Sequence, residues 1–227
     1  MRKLTAKFPA FLVGLLFLCS FASAQDADIV KIKHTYFTSY FSKSEHIPII
    51  VQYTLKPEML NCSDPIKRTN RFAKDPKQPV LTNIQKDYTR SGFDRGHNMS
   101  AADNACDMTG MKECFYFSNM TPQPHFFNAG VWEKLENQER DEARESTIVI
   151  FVGSLGKTET IGADKVWVPK YMWKVIYHPD TEKYECYLFP DSDNATKDLA
   201  EYETTLDEIE GHAGIQFTKD NFAWVNE

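Results

Sequence analysis

The stretch Gly92-Phe93-Asp94-Arg95-Gly96-His97-Asn98-Met99-Ser100-Ala101-Ala102-Asp103 places an acid, a guanidinium and an imidazole within four positions. The glycine between Arg95 and His97 lets the backbone turn sharply. His97 is a candidate general base near neutral pH, and Asp94 is a candidate either to orient it or to cap a turn. Arg95 can hold an anion through its planar fork of donors. The alternative for this stretch is an exposed turn with solvated charges.

Two further polar motifs follow downstream. The first is Ser118-Asn119-Met120-Thr121-Pro122-Gln123, and the second occupies residues 127–140. A helix is predicted to start near Asn128, because Asn is a favourable N-cap and residues 131–144 lack Pro and Gly. Asn128, Trp132, Glu136 and Arg140 recur every four positions and would face broadly the same way. An amphipathic helix with an Asn cap and i,i+4 charge pairs explains the same pattern without a site.

Strands are predicted on both sides of these motifs. Tyr, Phe, Thr and β-branched residues favour strands over 29–41, 47–55, 114–120, 147–152, 166–177 and 183–189. Pro169 indicates an edge or a bulge in the fifth of these. We predict a long surface loop over 61–88, a shorter loop over 106–114 and a helix over 198–210. With no linker between these pieces, the prediction is one α+β domain with a mostly antiparallel sheet.

The first 24 residues have the composition of a secretory signal peptide. Basic residues at 2, 3 and 7 precede an apolar run over 10–22, and Ala22-Ser23-Ala24 fits a cleavage site. Because that run is shorter than a bilayer requires, we expect cleavage after Ala24, a mature domain over 25–227 and no membrane attachment afterwards. The mature chain would hold 23 basic and 32 acidic residues, a net charge of −9. Nucleic-acid binding would therefore need a local basic site.

Four cysteines remain after the leader, at positions 62, 106, 114 and 186. An even number in an exported chain predicts two disulfides rather than four free thiols, and the spacings do not resemble a zinc ribbon. Three connectivities are open. The favoured one pairs Cys106 with Cys114, which would close a short loop between two motifs, and Cys62 with Cys186.

In this order, DRGH at 94–97, SNMTPQ at 118–123 and N-x-G-x-W-x-x-L-E-x-Q-E-R at 128–140 resemble the DNA/RNA non-specific endonucleases. These are ββα-metal (His-Me finger) nucleases, and the resemblance extends over residues 30–217. It implies an α+β fold in which helices flank a mostly antiparallel central sheet. It also implies hydrolysis of DNA and RNA with Mg²⁺, or alternatively Mn²⁺, through contacts to phosphate. A secreted or periplasmic location is expected, and an oligomer is compatible with the sequence.

The resemblance assigns roles to individual positions. His97 matches the general base, and Asn128 matches the sole protein ligand of a Mg²⁺ ion whose other ligands are water. Glu136 matches the carboxylate that holds one of those waters. The remaining matches are phosphate-binding arginines and one supporting polar residue, namely Arg95, Arg140, the more weakly matched Arg71, and Asn119. One departure is the segment 98–100, where many relatives have an apolar residue, a small residue and proline.

Other functions are compatible with parts of this pattern. A sequence-specific or toxin nuclease would use the same finger, but no DNA-reading module or delivery domain is visible. A catalytically idle nucleic-acid-binding protein would be expected to have lost His97 or Asn128, and both are present. A phosphodiesterase acting on small nucleotides is a third alternative. Incubation of plasmid with Mg²⁺, with and without EDTA, separates the first two from non-specific cleavage.

Overall fold

The computed structural model describes residues 28–225, so the predicted signal peptide and its cleavage site lie outside the described residues. Ten strands occur in this range. In chain order they are β1 (Ile29–Lys33), β2 (Phe37–Ser42), β3 (Pro48–Leu55), β4 (Asp94–His97), β5 (Met120–Gln123), β6 (Ile148–Ile161), β7 (Val166–His178), β8 (Lys183–Pro190), β9 (Ile215–Thr218) and β10 (Asn221–Trp224).

The helices are short, with one exception. They are α1 (Pro57–Leu60), α2 (Met108–Glu113), α3 (His125–Phe127), α4 (Glu133–Ala143) and α5 (Leu206–Ala213), with 3₁₀ turns at Ala101–Asn104, Phe117–Asn119 and Leu199–Tyr202. A π-helical turn, Asn128–Trp132, joins α3 to α4, and we call the continuous segment 125–143 the finger helix. None of the described helices is long and apolar enough to cross a membrane.

The central sheet has six strands in the order β1-β2-β3-β6-β7-β8, and every neighbouring pair is antiparallel. Two small antiparallel pairs, β4 with β5 and β9 with β10, lie outside it. The predicted α+β class with a mostly antiparallel sheet is therefore confirmed. Pro169 lies in β7 opposite Lys157, next to a register shift between β6 and β7, so the predicted bulge is present.

Alternate residues of the central strands are buried on opposite faces of the sheet. On one face, Ile150 of β6 belongs to a core that includes Trp132 and Leu135 of the finger helix. On the other face, Phe151 packs with Phe217 of β9 in a second core. Because both faces are covered, these strands have continuous apolar sequences rather than alternating ones.

A buried ion pair fixes the finger helix on its face of the sheet. Lys174 of β7 donates a hydrogen bond of 2.9 Å to Glu139, and both side chains are almost completely buried. The ammonium of Lys174 also lies 4.5 Å from the ring centre of Trp132. A partnered charge in a dry core holds two elements in one relative position, so this pair positions the helix that carries Asn128 and Glu136.

Several local predictions are wrong at element boundaries. The finger helix begins at His125 after Pro124, one turn before the predicted start at Asn128, because Pro124 has the φ of −57° that suits a helix entry. Residues 114–120 are buried, but they contain a 3₁₀ turn, and the strand starts only at Met120.

Two segments predicted from composition have a different structure. The stretch 106–114 is mostly helix α2, because the Asp107 side chain accepts a hydrogen bond from Gly110 N and caps it. The predicted helix over 198–210 is instead a 3₁₀ turn followed by α5, which starts after Thr205, the residue that caps it through Glu208 N. In both cases a side-chain cap set the helix start.

Candidate active site

The motif residues 94–97 form β4, which pairs antiparallel with β5 so that Asp94 lies opposite Gln123 and His97 opposite Met120. Gly96 packs closely against the buried side chain of Gln123, because a Cβ there would lie 2.1 Å from Gln123 Oε1 and 2.2 Å from its Cδ and would displace that side chain. We call β4, β5, the 3₁₀ turn Phe117–Asn119 that leads into β5, and the finger helix together the finger. This arrangement explains why the two motifs at 94–97 and 118–123 occur together.

His97 is buried at the end of β4. Its ring stands edge-on to Phe115, with ring centres 4.9 Å apart, and lies 5.7 Å from Phe72. Within residues 28–225, its Nε2 atom has no hydrogen-bond partner. Burial, and after it the positive charges of Arg68 and Arg95, together lower the pKa of His97 to about 3. The imidazole is therefore neutral, with a ring nitrogen left uncommitted by the surrounding protein.

Asn128 is held by Asp94 from the neighbouring strand. Its Nδ2 donates a hydrogen bond of 3.0 Å to Asp94 Oδ2, and the same oxygen lies 2.9 Å from His125 Nδ1. Asn128 sits in the π-helical turn, where Gly130 departs from helical geometry (φ −120°, ψ −108°). Asp94 therefore orients Asn128 and His125, so the expectation that it orients His97 or only caps a turn is wrong. With its nitrogen engaged, Asn128 presents its carbonyl oxygen as the available ligand atom.

Asn119 is a buried clamp behind His97. Its Oδ1 accepts from Met99 N at 2.9 Å, while its Nδ2 donates to Met99 O at 2.9 Å and to Cys114 O at 2.8 Å. Asn98 adds to this clamp, since its Nδ2 donates to Asn119 O and to Thr121 Oγ1, each at 3.0 Å. The unusual segment after His97 is thus fixed by side-chain amides. Asn119 contacts only backbone groups of the protein through these bonds, so the supporting role that the resemblance implies stays a prediction.

Glu136 and Arg140 lie together on the finger helix and face a third charged residue, Asp103, in the 3₁₀ turn Ala101–Asn104. Arg140 Nη1 donates to Asp103 Oδ1 at 2.9 Å and lies 3.9 Å from Glu136 Oε2. Burial raises the pKa of Glu136, although the charges of Lys174 and Arg140 oppose that shift. Sequence reasoning missed Asp103, although it ends the quoted DRGH stretch and forms a capping box with Ser100.

The arginine loop, residues 61–93, brings exposed guanidinium groups to the aromatic rings around His97. The Arg95 guanidinium, which follows this loop in β4, lies 4.2 Å from the ring centre of Phe72. The Arg68 guanidinium lies 5.2 Å from the ring centre of Phe115 and donates to Asn70 Oδ1 at 2.8 Å. Arg71, the weaker match, is exposed. Sequence reasoning missed Arg68, because an irregular loop has no period that reveals which side chain points inward.

A buried polar group anchors the arginine loop to the sheet. Asp75 Oδ2 lies 2.7 Å from His34 Nε2, and it accepts a hydrogen bond from Ser118 Oγ. His34 follows β1, and Ser118 directly precedes the clamp residue Asn119. The loop is therefore attached to the same segment that supports His97.

The disulfide joins the arginine loop to the turn after DRGH. Cys62 is bonded to Cys106, with Cα atoms 5.7 Å apart, whereas Cys114 and Cys186 are free and buried. The predicted second disulfide and both favoured pairs are wrong, because α2 lies between Cys106 and Cys114 and Cys186 is enclosed in β8. Burial raises the pKa of each free thiol to about 12, so both are poor nucleophiles.

Two antiparallel strands followed by a helix, with a histidine on the first strand and an asparagine on the helix, define the class of ββα-metal nucleases. A family model described as DNA/RNA non-specific endonuclease matches residues 18–222. The chain belongs to this family.

Individual relatives agree. Nuclease EXOG, mitochondrial, from Xenopus laevis is 29% identical over 188 residues, covering 74% of this chain and 52% of that protein. Nuclease C1 from Cunninghamella echinulata var. echinulata is 29% identical, covering 82% and 81%. A crystal structure of the EndoG/EndoGI complex superposes with a TM-score of 0.73 at 28% identity, covering 82% of this chain and 84% of that one. The chain spans about half the length of the EXOG relatives that it matches.

Proposed function

We propose that the chain is a secreted or periplasmic endonuclease that hydrolyses phosphodiester bonds of DNA and RNA without sequence preference. Its mature form is residues 25–227, a single endonuclease domain. The observation that carries this proposal is the buried, neutral His97 with an unpartnered Nε2 atom in residues 28–225. At neutral pH such an imidazole has a free lone pair that can accept a proton, which is what the activation of water requires.

His97 would take the proton of the attacking water at Nε2. A base with a pKa of about 3 is weak, but a bound phosphodiester is an anion and favours the imidazolium form. Substrate binding would therefore raise the pKa of His97 toward the working range. Two contacts would keep the backbone of His97 in place during the transfer. One is the clamp of Asn119, and the other is the hydrogen bond of 3.4 Å from Trp132 Nε1 to the His97 carbonyl oxygen.

The residues around Asn128 fit a divalent cation that keeps most of its water. The carbonyl oxygen of Asn128 is left available by the Asp94 contact, and Mg²⁺ prefers oxygen ligands and needs few from the protein. Asn128 would bind the ion directly, and Glu136 would accept a hydrogen bond from one of the water molecules bound to the ion. When bound, Mg²⁺ or Mn²⁺ supplies positive charge for the phosphoryl group and the leaving oxygen. Dependence on a divalent metal is a property of the family.

The arginines would hold the phosphate backbone. Arg95 and Arg68 have exposed guanidinium groups beside the rings that enclose His97, and they provide local positive charge on an acidic chain. Arg140 is mostly buried against Asp103. Its charge would therefore act on the phosphate without direct contact, and it would also hold Glu136 in place. The weaker candidate Arg71 would contact phosphate farther along the loop. Phosphate contacts carry no sequence information, which accords with non-specific cleavage.

Cleavage of plasmid DNA and of a structured RNA in Mg²⁺ tests the proposal. We expect both substrates to become short fragments, EDTA to stop the reaction, and His97→Ala to remove it. His212→Ala, on exposed α5, is the matched control and should behave as the wild type. Discrete plasmid bands would indicate a sequence-specific nuclease. Retarded but intact plasmid would indicate binding alone, and hydrolysis of only small nitrophenyl diesters would indicate a nucleotide phosphodiesterase.

A further inference from the structure

A second polar cluster lies at the other end of the finger helix from Asn128. It consists of Glu142 on α4, His178 at the end of β7 and Glu185 on β8, and one ligand atom from each lies within 4.8 Å of the other two. His178 Nε2 is 3.0 Å from Glu185 Oε1 and 3.9 Å from Glu142 Oε2. Since Glu142 follows Asn128 by 14 residues, the two places are about 20 Å apart along the helix.

The fold brings these three side chains together on one face of the sheet. In the β7–β8 register Glu185 is opposite Ile176 and Lys183 is opposite His178, so His178 and Glu185 are diagonal neighbours on the same face. The finger helix crosses this face, where the Lys174–Glu139 pair fixes it. Glu142 follows Glu139 by one turn of the helix and therefore also points toward the sheet.

The cluster has unused ligand atoms at its centre. Within residues 28–225, His178 Nε2 and Glu142 Oε2 are both buried without a hydrogen-bond partner, because the close Glu185 oxygen is off the direction of a ring N–H bond. The outer oxygens are held by other side chains. Gln138 Nε2 donates to Glu142 Oε1 at 3.0 Å, and Tyr187 OH donates to Glu185 Oε2 at 3.3 Å. Metal-binding carboxylates are commonly held in this way.

We propose that Glu142, His178 and Glu185 bind a divalent transition-metal ion of the Zn²⁺ class, with water as the fourth ligand. One imidazole nitrogen and two carboxylate oxygens suit Zn²⁺, whereas Mg²⁺ prefers oxygen ligands in an octahedron. Tetrahedral zinc bonds of about 2.1 Å separate ligand atoms by about 3.4 Å. The observed separations of 3.0 and 3.9 Å around His178 Nε2 bracket that value.

The bound ion would join the end of α4 to β7 and β8. Among the ion pairs of residues 28–225, none brings Lys or Arg to Glu142 or Glu185, so a cation would supply the missing countercharge. The site would stabilise the fold rather than take part in phosphodiester cleavage. It is therefore independent of the proposed nuclease function.

Zinc titration of the chelator-treated mature protein in excess Mg²⁺ tests the site. By calorimetry we expect one Zn²⁺ per chain, and by thermal unfolding a Tm that rises with Zn²⁺ concentration. His178→Gln should weaken binding at least tenfold and remove the Tm rise, while His212→Gln, at an exposed position, should leave both unchanged. Glu142→Gln, on a partly exposed helix position, gives the same test if His178→Gln does not fold.

Three results would overturn this site. One is a zinc response in His178→Gln or Glu142→Gln equal to that of the wild type. Another is no binding by the wild-type protein. The third is loss of the same binding event in Asn128→Ala, which would place the ion at the finger instead.

Discussion

The finger and the arginine loop both bring side chains to the candidate site, but they hold them by different means. In the finger, Asn119, Asn128 and Arg140 each have specific hydrogen bonds at 2.8–3.0 Å from named partners. In the arginine loop and at its junction with β4, Arg68 and Arg95 are exposed and lie against aromatic rings, and the hydrogen bond of Arg68 goes to exposed Asn70 in the same loop. A hydrogen-bonded amide has one geometry, whereas a guanidinium on a ring face can slide with little loss.

The difference suggests a division of labour. In the proposed reaction the finger would set the positions of the proton acceptor and the cation, and such positions tolerate little movement. The arginine loop would supply charge to a polymer whose phosphates repeat, so its side chains would need less exact placement. Substitutions in the finger should therefore have larger effects than substitutions in the loop.

The largest expected effect is loss of the base. His97→Gly should lower the rate of DNA cleavage about 10³-fold, and added imidazole should restore part of it as pH rises through the pKa of imidazole. Asn128→Ala should also be inactive, but imidazole should not rescue it, because its defect concerns the cation. A nitrophenyl phosphodiester, which has a good leaving group, should be less affected by Asn128→Ala than by His97→Gly. Rescue of Asn128→Ala alone would reverse the two roles.

Removal of the disulfide tests the connection between the two regions. Cys62→Ser combined with Cys106→Ser removes a disulfide that joins residues separated by 44 positions in the sequence. For a closed loop of this length, chain entropy predicts a loss of about 4 kcal/mol in the free energy of unfolding. Urea unfolding measures this loss. Dithiothreitol should lower the wild-type midpoint to that of the double variant and should leave the double variant unchanged. Identical wild-type midpoints with and without reductant would show that the closure contributes nothing.

Among the asparagines of the site, Asn119 should contribute most to the stability of the fold. Asn119→Ala leaves buried backbone groups of Met99 and Cys114 without partners, which should lower the free energy of unfolding by about 3 kcal/mol. Asn83→Ala, at an exposed position of the arginine loop, should change it by less than about 0.5 kcal/mol. Equal urea midpoints for the two variants would remove the distinction between finger and loop.

Acid should destabilise the protein through His97. The pKa is about 3 in the folded protein and about 6.5 in the unfolded chain, so the unfolded chain binds the extra proton as pH falls below 6.5. Stability is therefore lost progressively from pH 6.5 toward pH 3, and the contribution should reach about 2 kcal/mol at pH 5 relative to pH 8. In His97→Gln this part of the pH dependence should disappear, whereas His212→Gln should keep it. Parallel pH profiles for wild type and His97→Gln would contradict the assigned pKa.

The smallest effects are expected for the arginines. Arg95→Ala and Arg68→Ala should each lower cleavage about tenfold on every sequence and reduce the salt dependence of DNA binding by about one ion. Lysine should not restore full activity, because its compact ammonium lacks the planar face that stacks on Phe72 or Phe115. Lys67→Ala is the control, and Arg71→Ala should have a weaker effect than Arg68→Ala. A change in which sequences are cut would contradict the phosphate role.

The residues of the finger were easier to predict from the sequence than those of the arginine loop. The order and spacing of the motifs predict the residues of the finger, because β4, β5 and the finger helix impose regular geometry on 94–97, 118–123 and 128–140. The partners of these residues could not be predicted in the same way. Asp94 reaches Asn128 across 34 positions of chain, and such contacts depend on how strands and helix pack rather than on local periodicity.

The fold was predictable to a similar extent. Continuous apolar runs predict the central strands, but the pairing of Cys62 with Cys106 depends on how a loop without regular structure returns to the turn after β4. Helix starts depended on single caps at Asp107 and Thr205. A single capping side chain contributes about 1 kcal/mol, which is enough to move a helix boundary without altering composition.

The buried amides of Asn98 and Asn119 also limit where this protein can be made. Asn98-Met99-Ser100 and Asn119-Met120-Thr121 are both acceptor sequences for N-linked glycans. Their side-chain nitrogens, the atoms to which a sugar would be attached, donate hydrogen bonds in the interior. An oligosaccharide added to either one in a eukaryotic secretory pathway would have to be accommodated where the residues are 1% and 0% exposed.

Such a glycan would block closure of the clamp before His97 could be positioned. Substitutions that remove the acceptor sequences would also disturb the structure. Thr121 Oγ1 accepts from Asn98, and Ser100 forms the capping box with Asp103. A bacterial host avoids the conflict, whereas yeast or insect secretion would yield chains modified at the point where the finger must close.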